Sequence, residues 1–278
     1  MRELVNVPSS ALGASVSRFG SALLDAQVSR IPIPPITDCV PDITVQDAYG
    51  IQKEFVALRM AAEGSHIVGR KIGVTSKAVQ DLLNVRQPDF GILLSTMLYH
   101  DQASLAADKM ISPRAEGEIA FLLKQDLVGP GLFAADVLRA TECVMPCFEI
   151  VDSRIANWQI RIQDTIADNA SSGAFVLGTG VCDPRRIDLA LVGMSIEKNG
   201  EIIGTGAGAA ALGHPLNAVA WLANMLASLE VTLRAGEIIL SGALSALVPV
   251  RAGDHLHMAL GGIGVSSVDF TESSNGAQ

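Results

Sequence analysis

The sequence predicts an α+β fold in which helices come first and a core of mixed or antiparallel β-sheet follows. Up to Gly64 the apolar residues recur at helical spacing, whereas beyond it they form short runs rich in Ile and Val. These runs do not alternate regularly with helices, so the pattern of a parallel sheet with crossover helices is absent. With 278 residues, of which 49% are hydrophobic, the chain can bury a sizeable core.

Two helices are predicted in the N-terminal part. The first spans about Ala11 to Val28, and the proline-rich stretch IPIPPITDCVPD after it is not expected to form regular structure. The second begins near Thr44 or Asp47, either of which can cap it, and ends at Gly64.

Strands are predicted in the short apolar runs that follow. These runs are HIVGRKIGVTS, GEIAFLL, CFEIVDSRI, GAFVLGTGV, LALVGMSIEKNGEII, EIILSGALSALVPV and HLHMALGGIGVSSVDF. The Asn199-Gly200 pair predicts a two-residue hairpin, and the segment that begins at Pro215 predicts a late helix. We therefore expect a helical arm over residues 1–65, a core over 66–272 and a flexible tail over 273–278.

Composition excludes several classes of function. The 20 basic and 29 acidic residues give a net charge of −9, so no basic surface is expected for nucleic acid or an anionic membrane. Neither a secretory signal nor a membrane-spanning segment is evident, which predicts a cytoplasmic protein. The four cysteines lack zinc-type spacing, and Cys143 and Cys147 are expected to be buried. The ligand is expected to be a small molecule.

Three glutamates in apolar runs predict a metal site. In a strand, Glu116 and Glu118 of PRAEGEIAFLL project to the same side, and Glu149 lies in the buried run PCFEIVDSRI. Buried carboxylates that repel each other need a cation between them or access to water. Oxygen ligands without a Cys or His cluster suit Mg²⁺ or Mn²⁺. The alternative is a solvated strand face with Arg114 as the counter-charge.

Other polar residues offer less specific signals. Arg70 and Lys71 are consecutive, so one of them faces inward, where it could hold a substrate carboxylate, relay protons or form a structural salt bridge. Asp89 of RQPDFG is predicted in a turn. The segment IQDTIADNASSGAFVLG gathers Asp, Asn and Ser before a strand, which also fits a simple capped turn.

Several long motifs together resemble one family. They are KIGVTSKAVQDLLNVRQPDFG, PRAEGEIAFLLKQDLVGPG, CVMPCFEIVDSRI, IQDTIADNASSGAFVLG and GAGAAALGHPLNAVAWLAN. From about Asp42 to Phe270 the chain closely resembles the 2-keto-4-pentenoate (2-hydroxypenta-2,4-dienoate) hydratases of aromatic meta-cleavage pathways, which belong to the fumarylacetoacetate hydrolase superfamily. The resemblance implies a core of mixed, rolled β-sheets, a homo-oligomer, a small 2-oxo or 2-hydroxy dienoate substrate, and a pathway decarboxylase or aldolase as a partner.

The resemblance also implies the reaction and the metal ligands. Water would be added to 2-hydroxypenta-2,4-dienoate to give 4-hydroxy-2-oxopentanoate. The Mg²⁺ or Mn²⁺ ion would be held by Glu116, Glu118 and Glu149, the residues already suspected from the strand pattern.

Four further residues match family motifs. Lys71 of K-I-G-V-T-S and Asp89 of Q-P-D-F-G are the implied acid and base, in an order that the motifs leave open. Asn169 and Ser171 of A-D-N-A-S are implied hydrogen-bonding residues of the substrate pocket.

Alternatives within and beyond the superfamily stay open. The related 4-oxalocrotonate decarboxylases share the metal site, and His214 in G-H-P is a variant found in them, whereas Q-P-D-F-G and P-R-A-E-G-E favour a hydratase. A non-catalytic partner subunit would have no physical need for an intact set of acidic ligands. Hydrolysis of an acylpyruvate needs a water-activating base, and no His-Glu pair is evident for it.

Overall fold

The computed structural model describes residues 9–82 and 84–273 and confirms the α+β fold. The helices, numbered in chain order, are α1 (Ser9–Ser29), α2 (Ile36–Cys39), α3 (Val45–Glu63), α4 (Lys77–Leu82), α5 (Ala134–Ala140), α6 (Ile162–Ala167) and α7 (Pro215–Ala227). The strands are β1 (Ile67–Gly73), β2 (Asp89–Leu94), β3 (Leu98–His100), β4 (Ala103–Ala106), β5 (Arg114–Leu123), β6 (Thr141–Val151), β7 (Ser172–Leu177), β8 (Gly193–Lys198), β9 (Glu201–Ala207), β10 (Ile238–Leu240), β11 (Val248–Pro249), β12 (His255–Leu260) and β13 (Gly264–Thr271).

The strands form two sheets within the described residues. The larger sheet has the order β2-β1-β10-β5-β6-β7-β3, with β11 paired to β5, and the smaller has the order β4-β13-β12-β8-β9. Parallel pairs such as β1 with β10 occur beside antiparallel pairs such as β5 with β6, so the sheet is mixed, as predicted. The predicted hairpin joins β8 to β9, and Asn199 and Gly200 both have the positive φ that a tight hairpin turn requires.

The second predicted helix, α3, begins and ends where the sequence indicates. Thr44 caps α3 through a reciprocal pair of hydrogen bonds with Asp47, and Gly64 ends the helix with a φ of 62°. The proline-rich stretch was expected to be irregular, but it contains the single helical turn of α2. No helix among residues 9–82 and 84–273 combines the length and the apolar character needed to cross a membrane.

The helices share a core with the strand-rich part. Phe19 of α1 and Phe55 of α3 belong to one buried cluster with Ile155 and Ile166, which come after β6. The division into arm and core therefore stays a prediction, and residues 274–278 of the predicted tail lie outside the described residues.

The two faces of the larger sheet carry different kinds of side chain at β5 and β6. On one face, residues such as Ile119 and Phe148 pack against Met194 and Met258 of the smaller sheet and form the main core. On the other face of β5 and β6 lie the three glutamates, because side chains alternate along a strand. The site therefore lies on a rigid sheet, on the face that turns away from the packing between the two sheets.

Candidate functional site

The three glutamates lie together on neighbouring strands. The antiparallel register of β5 and β6 places Glu116 opposite Glu149, and Glu118 opposite Cys147. One carboxylate oxygen from each glutamate lies within 4.8 Å of the others. Glu118 and Glu149 are fully buried, and Glu116 is half-buried. The predicted ligand residues are thus brought together by strand register alone.

The hydrogen bonds of this cluster leave several oxygens without a donor. Gly242 N–H donates to Glu118 Oε2 at 2.7 Å, but among the described residues Glu118 Oε1 and both Glu149 oxygens have no hydrogen-bond partner. Lys71 Nζ lies 3.1 Å from Glu149 Oε1, an ion pair whose geometry falls outside that of a hydrogen bond. One ammonium cannot balance three clustered carboxylates, two of them fully buried, and an all-oxygen donor set suits a hard divalent cation. The residues present therefore fit such an ion.

Burial and mutual repulsion change the acidity of these groups. Burial first, and then the like charge of Glu149, raise the pKa of Glu116 to about 7. The same two causes raise the pKa of Glu118 well above its ordinary value. Burial alone would lower the pKa of Lys71, but the surrounding carboxylates, Glu149 first, raise it. The cluster without a cation thus favours bound protons, which a divalent cation would replace.

Gly242 is a site residue that the sequence did not reveal. Its φ of 103° is a conformation that L side chains rarely adopt, and an added Cβ would lie 2.4 Å from Thr75 Oγ1. The residue comes two positions after β10 and brings its N–H to Glu118. The sequence offers no signal for this, because Gly in S-G-A resembles any loop glycine.

A cavity of about 380 Å³ lies beside the cluster. Polar side chains occur on its lining, namely those of Lys71, Thr75, Ser76, Asp89, Glu116, Thr165, Ser171 and Ser245. Apolar or largely apolar side chains also line it, namely those of Ile72, Val74, Val79, Val151, Trp158, Ile160, Ala170, Ala243, Ala246 and Leu247. The cavity can therefore receive a small molecule with one anionic end and one apolar end.

Asp89 lies in a strand and not in the predicted turn. It is the first residue of β2 and stands opposite Gly73 of β1. Thr165 Oγ1 donates to Asp89 Oδ2 at 3.2 Å, whereas Oδ1 has no partner among the described residues. Burial raises the pKa of the Asp89 carboxyl although Lys71 opposes the change. A buried carboxyl with one free oxygen on a cavity wall has the properties of a general base.

The two predicted substrate-binding residues differ in position. Ser171 lines the cavity, and its hydroxyl donates to Asp168 Oδ2 at 3.2 Å. Asn169 is fully buried, and both polar atoms of its amide are bonded to the main chain of Ile92: Oδ1 accepts from N–H at 2.7 Å and Nδ2 donates to the carbonyl at 2.9 Å. Asn169 therefore completes the edge of β2 as a neighbouring strand would, and its contact with substrate stays a prediction.

Asn169→Asp is expected to lower the free energy of unfolding by about 1–3 kcal/mol. The change removes the donor to the Ile92 carbonyl and places an anionic oxygen beside it in a buried position. Chemical denaturation measures the effect, and Asn217→Asp on the exposed surface of α7 is the matched control. Equal stability of the two variants would show that the bonds to Ile92 contribute little.

A buried ion pair supports the turn that carries Asn169 and Ser171. Asp168 accepts from Arg154 Nε at 2.5 Å, and Arg154 Nη1 donates to the Ser172 carbonyl at 3.0 Å. Both side chains of the pair are almost fully buried. Asp164 has the local capping use that the sequence also allowed, since its Oδ2 accepts from the Arg161 N–H at 2.9 Å at the start of α6, and it also accepts from N–H and Oγ1 of the distant Thr37. These acidic residues hold the loop that carries Ser171.

Comparison with known proteins finds a matching family and similar enzymes. The family model described as fumarylacetoacetate (FAA) hydrolase C-terminal matches residues 67–270. A 2-hydroxyhexa-2,4-dienoate hydratase of Comamonas testosteroni is 54% identical over 91% of this chain and 96% of its own. A 2-hydroxypent-2,4-dienoate hydratase of Pseudomonas putida is 57% identical over 76% of this chain and 95% of its own.

A solved structure matches the whole architecture. It is that of a 4-oxalocrotonate decarboxylase from Pseudomonas putida G7, complexed with magnesium and adipate. The TM-score is 0.89 and the sequence identity 36%, over 97% of this chain and 100% of the other. This chain thus shares its fold with a relative that was solved with a divalent metal.

Proposed function

The chain belongs to the 2-keto-4-pentenoate hydratases of the fumarylacetoacetate hydrolase superfamily, and from this premise we propose that it hydrates 2-hydroxypenta-2,4-dienoate to 4-hydroxy-2-oxopentanoate. The observation that carries the proposal is the cluster of Glu116, Glu118 and Glu149 beside a cavity that also exposes Lys71 and Asp89. Identities of 54% and 57% to hydratases, against 36% to the decarboxylase, favour hydration over decarboxylation.

We propose that the three glutamates hold Mg²⁺ or Mn²⁺. Their uncompensated charge and unpaired oxygens support this assignment. Such an ion would act as a Lewis acid toward the 1-carboxylate and the 2-oxygen of the substrate. The ammonium of Lys71 lies at the same end of the cavity, where it would attract the substrate's negative charge and stabilise negative charge that develops on the 2-oxygen.

Asp89 is the proposed carrier of protons. The 2-hydroxy proton is lost and C5 gains one, which makes the 2-oxo-3-ene, and the C3–C4 double bond then accepts water. The water oxygen bonds to C4 and a proton goes to C3, so the whole reaction adds one water. A carboxylate with a free oxygen and a raised pKa can take the proton from water and return one to carbon. Thr165 would keep the other carboxylate oxygen oriented.

The experiment that tests the proposal follows the ultraviolet absorbance of freshly generated 2-hydroxypenta-2,4-dienoate. Metal-stripped protein is expected to leave the dienol band unchanged. Over the same time, protein with added Mg²⁺ or Mn²⁺ is expected to remove the band and to give a product heavier by one water. The same samples are offered 4-oxalocrotonate, and release of CO₂ without hydration of the dienoate would assign the chain to the decarboxylases instead.

Assembly and location are further parts of the proposal. We propose a homo-oligomer in the cytoplasm that works beside a decarboxylase or an aldolase of the same catabolic sequence. The support is the family relationship and the net charge of −9, which suits a dissolved metabolic enzyme.

A further inference from the structure

Trp158 lies between the proposed substrate cavity and a second, outer groove. The outer groove has a volume of about 610 Å³ and is also lined by Arg114 and Arg161. Among the described residues, four line both spaces, namely Val79, Trp158, Ile160 and Leu247. Trp158 has the largest side chain of the four, so it forms the main part of the wall that separates the two spaces.

The indole of Trp158 is held from two sides. The guanidinium carbon of Arg114 lies 4.3 Å from the ring centroid, a cation–π contact. The indole N–H donates to the Ser112 carbonyl at 3.2 Å. Asn157 and Trp158 also have φ values of 58° and 55°, which are unfavourable for residues with side chains. Strain of this kind persists only where the surrounding contacts fix the conformation, so the indole is a well-defined wall.

The charged side chains of Lys71, Asp89 and Glu116 line the cavity but not the outer groove, so they are not part of this wall. If the proposed function is right, the substrate carboxylate lies at Glu116 and Lys71, and C5 of the dienoate points away from them. The residues shared with the outer groove are apolar or aromatic, and they offer no partner to a charged C5 substituent. A C5 substituent longer than a short alkyl group would have to displace the indole from Arg114.

We propose that Trp158 determines specificity by limiting the C5 substituent of the dienoate to hydrogen or a short alkyl group. The inference rests on the proposed function and adds a residue and a substrate class to it. Trp158 acts here by closing the cavity and takes no part in proton transfer. Opening the wall joins the cavity to the outer groove, which has room for a longer chain.

The test compares kcat/KM for 2-hydroxypenta-2,4-dienoate with that for 2-hydroxynona-2,4-dienoate, which carries a butyl group at C5. Relative to the wild-type protein, Trp158→Ala is expected to shift the ratio toward the longer substrate by about 10-fold or more, the usual discrimination of an apolar pocket. Trp158→Phe should shift it less. The matched control is Trp221→Phe, which changes the other of the two tryptophans, on α7 and outside the cavity lining.

A second readout separates this inference from the proposed function. Calorimetry with Mg²⁺ compares binding of 2-oxopentanoate and 2-oxononanoate, which need no turnover. If no variant hydrates either dienoate, the proposed function fails and the binding ratio decides the role of Trp158. An unchanged ratio in Trp158→Ala, or in Trp158→Phe should the alanine variant not fold, overturns the inference. So does a wild-type protein that accepts both chain lengths equally.

Discussion

Glu149→Gln is expected to lower metal-dependent kcat/KM by about 10³-fold or more, because a lost metal ligand removes several kcal/mol of charge stabilisation from the transition state. Glu149 is fully buried, stands opposite Glu116 and has no hydrogen-bond donor for either oxygen among the described residues. Gln has the same shape, but its neutral amide is a poor ligand for a hard cation. Calorimetric titration with Mg²⁺ should show weaker binding in parallel with the loss of turnover.

The fold of this variant is expected to survive. The variant loses one of three clustered like charges, while Glu116 and Glu118 remain as counter-charges for the buried ammonium of Lys71. Without metal its stability to chemical denaturation should therefore stay close to that of the wild-type protein. The matched control is Glu142→Gln, an exposed position on the same strand. Full activity of Glu149→Gln at limiting metal would contradict the assignment of the three glutamates as the metal site.

The sequence could predict the cluster of three glutamates because two simple rules indicate it. The spacing of Glu116 and Glu118 puts both on one side of a strand, and Glu149 lies in an apolar run that is typical of a buried strand. In the structure β5 pairs with β6, and the register of this pair places Glu116 opposite Glu149. The sequence alone does not specify this register. It was a reasonable hypothesis because carboxylates on two predicted strands can be balanced by one shared cation.

Residues whose role depends on distant main-chain groups could not be predicted. The partner of Asn169 is the main chain of Ile92, 77 positions away, and no local pattern announces such a bond. Asp89 was expected in a turn because Pro88 and Asp89 favour turns, but pairing with β1 overrides that preference. The position of Trp158 depends on two consecutive left-handed residues, a conformation that nothing in A-N-W-Q indicates.

The second large effect is expected at Asp89, where Asp89→Asn should lower kcat by about 10²–10⁴-fold, the usual contribution of a general acid or base. Asn keeps the shape, and its carbonyl oxygen can still accept the hydrogen bond from Thr165, so the strand start should remain in place. Binding of Mg²⁺ should stay close to that of the wild-type protein, which distinguishes this variant from Glu149→Gln. Asp81→Asn, at an exposed position of α4, is the control for the same chemical change.

Hydrogen exchange separates proton transfer from the addition of water. In D₂O with Mg²⁺, a group that moves protons at C3 should also exchange the C3 protons of 2-oxopentanoate, which nuclear magnetic resonance can follow. If Asp89 carries these protons, Asp89→Asn loses exchange and hydration together. If exchange persists while hydration is lost, Asp89 activates the water only, and Lys71, whose ammonium lies 3.1 Å from Glu149, becomes the better candidate for the carbon protons. Unchanged rates in both assays would remove Asp89 from the mechanism.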